Sequence, residues 1–183
     1  MRVIADGSQH DIEICVVTSQ IRRWLKTAPR RTKRHSQYSS ICFAGGGVAV
    51  LKPTDEHATF LPEVPDFKTV LAITRDLEGG LWLCDRFLGV NRLFNGKLQR
   101  FPELHREMDG WPSVAYTDHG GRVWIGLTTG EVALREGERF HVFSEKDGLS
   151  NGQVTSILSD LNGEIWVAGV VALVDTGGNI FKR

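Results

Sequence analysis

Three carboxylates stand at even intervals along this chain: Asp76, Asp118 and Asp160, each 42 residues from the next. Acidic groups that converge on one point can share a proton or hold a metal ion. Here each belongs to its own copy of one phrase, Asp-x-x-Gly-x-(Leu/Val/Ile)-Trp. Gly79, Gly121 and Gly163 follow at the third position, and Trp82, Trp124 and Trp166 at the sixth. A residue repeated with its whole context serves the unit it belongs to, so the three aspartates are expected to form turns rather than one catalytic set. The six histidines are His10, His35, His57, His105, His119 and His141, and none recurs at a repeat position. No pair of them has metal-ligand spacing backed by a third ligand, and the cysteines Cys15, Cys42 and Cys84 form no Cys-x-x-Cys pair. Neither a nucleophile elbow nor a phosphate loop is present; Gly45-Gly46-Gly47 lacks the Lys-Ser/Thr that would make it one. No catalytic residue, metal or cofactor is expected.

What remains is binding chemistry between the repeats. Trp111 is an aromatic outside the repeated position, and an indole on a loop can stack on a sugar ring. Asp109-Gly110-Trp111 also parallels Asp147-Gly148-Leu149, which predicts that Trp111 plugs a gap between units as Leu149 does. His105, Arg106 and Glu107 beside it, with Arg86 and Asn151, are the polar candidates for a ligand site.

The elements that must position these groups follow from the apolar pattern. Residues 69–74, 113–117 and 154–159 are short β-branched or apolar runs ahead of each aspartate. Residues 81–84, 123–126 and 165–168 follow each turn. Each pair predicts a hairpin, closed by an aspartate that bonds turn N–H groups and a glycine that accepts positive φ. Third and fourth strands are expected at 90–94 and 97–101, joined by Asn95-Gly96, and at 131–134 and 139–143. In the last unit they fall at 171–174 and 180–181. Four short strands in about 42 residues is the size of a propeller blade. Two positions after each Trp the side chain is small, Cys84, Gly126 or Ala168, which suits strands crowding toward a shared axis.

A worn fourth copy lies upstream. Residues 41–44, 48–51 and 58–61 would be its strands, but it lacks the Trp and the Asp-x-x-Gly turn. The division expected is therefore a non-repeat basic segment at 1–35, a degenerate blade at 36–68 and three repeats at 69–183. Within the first of these, residues 11–18 predict a strand and 19–26 a short helix. Between Arg22 and Arg34, seven of thirteen residues are Arg or Lys, read as a solvated lead-in. With 22 basic and 22 acidic residues the chain is neutral, which argues against a nucleic-acid surface. No stretch is long and apolar enough to cross a bilayer, and the N-terminus is not expected to be a secretory signal. Cys42 and Cys84, one period apart, are expected as small buried hydrophobes.

The segment from Phe140 to Gly169, with Asp147-Gly148-Leu149, Val154-x-x-Ile157, Asp160-x-x-Gly163 and Trp166-Val167-Ala168-Gly169, resembles the two-component regulator propeller repeat. The match is good over roughly 69–183 and weak over 40–68. It implies an all-β fold of four-stranded antiparallel blades, about three complete and one degenerate. It implies a non-catalytic sensor module of a bacterial two-component protein, periplasmic and in some members glycan-binding. The chain departs from that pattern by lacking a transmembrane helix, a kinase segment and enough blades. A closed ring of seven at this period would need roughly 300 residues. The expectation is a fragment of a longer receptor, with any kinase elsewhere. Its exposed edges would pair with other blades or a second chain. A propeller lyase or glycoside hydrolase, and a protein-interaction scaffold, are the alternatives.

Overall fold

A computed structural model of the chain describes residues 13–16, 39–43, 48–51, 59–64, 66–102, 104, 110–170 and 173–174. Their strands form four sheets in chain order. The first holds β1 (Glu13–Val16), β2 (Ser39–Phe43), β3 (Val48–Leu51) and β4 (Thr59–Phe60). The second holds β5 (Val70–Arg75), β6 (Leu81–Asp85), β7 (Gly89–Phe94) and β8 (Lys97–Arg100). The third holds β9 (Pro112–Thr117), β10 (Val123–Leu127), β11 (Val132–Glu136) and β12 (Arg139–Phe143). The fourth holds β13 (Val154–Ser159), β14 (Ile165–Gly169) and β15 (Leu173–Val174). The second and third sheets are antiparallel meanders, and the first three strands of the same plan make the fourth.

Strand alternation decides where the core lies. In β6, Leu81 and Leu83 face back onto Val48, Phe67 and Ile73. Trp82 and Cys84 face forward onto Val123, Ile125 and Leu127 of the next sheet. One sheet later Trp124 faces forward in the same way, onto Val154, Ile157 and Ile165. Each core therefore sits between two sheets, and neither sheet could bury it alone. Trp82 is fully buried and Trp124 is 1% exposed, each worth roughly 4–6 kcal/mol of area burial as an upper bound. Trp166, in the fourth sheet, is only half-buried. Phe101 stacks on Trp82 at 5.1 Å, and Phe143, 42 residues on, stacks on Trp124 at 6.4 Å.

The small residue after each Trp has a visible cause in the third sheet. A Cβ on Gly126 would lie 2.5 Å from Val154 Cγ1 and 2.7 Å from Val114 Cγ1. The register also slips at matching places, around Leu71, Ser113 and Thr155, giving each innermost strand a bulge that the residue pattern does not announce.

The aspartates do more than turn the chain. Asp118 Oδ1 accepts the N–H groups of Gly120 and Arg122, both at 2.9 Å. Its Oδ2 accepts Trp124 Nε1–H at 2.9 Å and Arg122 Nε–H at 2.6 Å. Asp76 repeats this: Oδ1 takes Glu78 and Gly80 N–H, and Oδ2 takes Trp82 Nε1–H at 2.8 Å. Its cation is Arg92 of β7, at 2.6 Å. In the fourth sheet Asp160 Oδ1 accepts Asn162 and Glu164 N–H, with no cation in place of Arg122. Burial alone would raise the pKa of Asp76 and Asp118. Their hydrogen bonds from indole, guanidinium and backbone outweigh it and hold both below 3.8. Gly79, Gly121 and Gly163 have φ of 88°, 80° and 80°, as the turn requires.

Neighbouring sheets also grip one another through the residue after each aspartate. Leu77 lies against Gly121, where a Cβ would come within 2.7 Å of it. His119 Nδ1 meets Ser159 Oγ at 2.9 Å, and Tyr116 Oη bonds the same hydroxyl at 2.7 Å. Their counterparts in the fourth sheet, Leu158 and Leu161, are 48% and 105% exposed.

The first sheet departs from the repeat. Its strand beside β2 is β1, and the pair is parallel, Glu13 opposite Ser40 and Val16 opposite Phe43. Ile14-Cys15-Val16 is apolar and rich in β-branched residues, whereas the residues one period before β5 are basic, and β1 is the strand found beside β2. The helix expected at 19–26, the basic run, the side chain of Cys42 and the strand expected at 180–181 lie outside what is described. Cys84 is fully buried, as expected.

Candidate ligand face

The face formed by the β6–β7 and β10–β11 turns and the linkers between sheets is built on one carboxylate. Asp85 is 1% exposed. Its Oδ1 accepts the N–H groups of Phe87 and Leu88 at 2.8 and 3.0 Å, and its Oδ2 accepts Thr69 N–H at 2.9 Å. Arg86 N–H donates to Thr69 O. From beneath, the buried Asn91 amide donates to the carbonyls of Leu88 and Gly89, each at 3.1 Å. The turn is thus tied at both ends and holds Arg86 and Phe87 outward, Phe87 at 68% exposure.

The linker from β8 arrives beside it. Gly110 is buried against Thr128 and Thr129, where a Cβ would lie 2.7 Å from Thr129 Oγ1. Trp111 N–H donates to Thr128 Oγ1 at 3.0 Å, and Trp111 O accepts Thr128 N–H at 2.9 Å. Its backbone is pinned to the third sheet while its ring reaches the second: the Arg86 guanidinium lies 4.1 Å over the indole and 5.6 Å over Phe87. Trp111 is 43% exposed, while Leu149 at the matching place is 4% exposed. The expected plug is seen for Leu149, whereas the Trp111 ring stands out under a guanidinium.

Two of the candidates, Arg86 and Trp111, are thereby brought together. Asn151 belongs to the next linker, with its amide on Glu145 Oε2 at 3.1 Å, beside a shallow cleft lined by Gly130, Leu149 and Val167. His105, Arg106 and Glu107 fall outside the described residues. Phe87 and the buried Asp85 were not singled out as site residues; the Asp-x-x spacing of an Asx turn is the signal that could have found the second. Among the described residues no cluster of three His, Cys, Asp or Glu could hold a metal ion.

No protein-family profile matches the chain, and no curated protein matches it significantly. Solved structures do. The extracellular domain of a hybrid two-component system from B. thetaiotaomicron is 24% identical, with TM-score 0.56, over 68% of this chain and 18% of that one. The fold is a β-propeller. A second B. thetaiotaomicron extracellular domain of the same kind matches at 14% identity and TM-score 0.52, over 79% of this chain and 21% of that one. A streptogramin B lyase matches at 15% identity and TM-score 0.54, over 69% and 42%. The propeller sheets seen here are thus similar to those of both two-component extracellular domains and a lyase, and the chain spans less than half the length of each.

Proposed function

We propose that this chain is a ligand-sensing, non-catalytic propeller module of a bacterial two-component signal transduction protein, with output carried by another polypeptide region. The repeat phrase and the similarity to two-component extracellular domains support the reading, and a periplasmic setting goes with it. The observation that carries it is the Arg86–Trp111–Phe87 cluster: two exposed aromatic rings and a guanidinium held by rigid turns on the loop face, where repeat scaffolds place their binding groups. A pyranose has apolar C–H faces that stack on such rings, so an oligosaccharide is the ligand class the cluster suits.

Glycan-array binding by the full chain tests this. W111A is expected to weaken any hit about 30-fold, the effect of losing roughly 2 kcal/mol at a central Trp. Hits unaffected by W111A refute the site, and turnover of a bound glycan turns the reading to a propeller enzyme. A scaffold reading draws on Leu158, Leu161 and Val170, apolar and exposed on the fourth sheet; binding to proteins but to no glycan favours it.

A further inference from the structure

We infer that the loop face recognises an anionic sugar, with Arg86 as the group that reads its negative charge. This rests on the ligand-sensing reading above and narrows the ligand class. Asp85, the sequence neighbour of Arg86, is spent: both carboxylate oxygens accept backbone N–H groups. Among the described residues no carboxylate forms an ion pair with Arg86. The less exposed arginines Arg92, Arg122 and Arg135 differ, whereas the exposed Arg100 and Arg139 also lack an ion pair among the described residues. Arg92 pairs with Asp76 and Glu78, Arg122 with Asp118, and Arg135 reaches Glu138 at 3.8 Å.

Geometry then directs the charge. Arg86 has the indole of Trp111 at 4.1 Å and the ring of Phe87 at 5.6 Å. Rings against the faces of a guanidinium leave its donors in the plane, a fork that matches two oxygens of one anion. The rings lower the cost of holding the cation there. Both remain exposed enough to contact a sugar carrying that anion. A carboxylate of a uronic acid and a sulfate ester share this chemistry.

Isothermal titration of the full chain with a galacturonate trimer, a galactose trimer and a sulfated galactose trimer tests the assignment. At least one acidic trimer is expected to bind ten-fold or more tighter than the neutral one, with affinity falling as salt rises. The acidic trimer that binds identifies the anion. R86A is expected to erase the preference, R86K to retain part of it without the fork, and W111A to weaken all three. Far-ultraviolet circular dichroism confirms that each variant is folded. Equal binding of acidic and neutral trimers, or a preference that survives R86A, overturns the anion assignment and leaves the ligand-sensing reading standing. Binding of none of the three overturns both.

Discussion

Replacing Asp118 by Asn tests whether the repeated aspartates hold the tryptophans as well as the turns. In D118N the amide oxygen can keep the two backbone N–H bonds, so the turn survives. The amide nitrogen then faces two donors, Trp124 Nε1–H and Arg122 Nε–H. Trp124 is 1% exposed, so water cannot take the lost place. A buried unsatisfied donor costs about 1–3 kcal/mol, and the half-exposed Arg122 pair adds up to about 1 kcal/mol. The sum, roughly 1–4 kcal/mol, corresponds to a fall in Tm of roughly 2–16 °C for a chain of this size. D160N is the internal control. Trp166 is half-buried and, among the described residues, no cation pairs with Asp160, so the indole can turn to water and the loss is expected to be smaller than for D118N. Urea unfolding followed by tryptophan fluorescence reads both. Equal losses for D118N and D160N would refute the argument, since they would make the aspartate a turn former alone.

Because Asp76 and Asp118 titrate below 3.8 when folded, their contribution to stability is complete above that value and lost as pH falls through the lowered ones. Denaturation midpoints should therefore drop steeply below about pH 4, and the double variant D76N/D118N should flatten that dependence. The turn glycines separate backbone strain from crowding. G163A meets nothing within 4 Å and should cost about 1–2 kcal/mol for its positive φ alone. G121A has the same φ but also strikes Leu77, so thermal unfolding should show a larger loss, with L77A recovering the difference.

Much of the fold was legible because a fixed period and two-residue alternation report the same thing. Once Trp82 faces forward, Leu81 and Leu83 must face back, and the strands of the second and third sheets fall within a residue or two of their apolar runs. Other features depend on groups distant in sequence or on backbone register. The bond from Asp to Trp spans six residues across a turn, and nothing in residue type says that the indole N–H points back. Arg92 supplies in one sheet, from β7, the cation that Arg122 supplies in the next from the turn itself, so the network has no fixed motif. β1, paired in parallel with β2, comes from a strand-forming run upstream of the basic one, a choice that periodicity alone does not settle. At the ligand face, Arg86 and Trp111 were both readable as candidates. Their meeting was not, because it depends on Gly110 letting the linker pass close to Thr129.

Leu77 resting on Gly121, and His119 on Ser159, give the stack a direction: every turn leans toward the sheet that follows it in the chain. Leu161, at the matching place, stands exposed among the described residues. A blade joined after the fourth sheet would find a ready clasp, whereas one joined ahead of the first would have to supply its own. Assembly of such an arc is therefore polar, and its order can be read from one side chain per sheet.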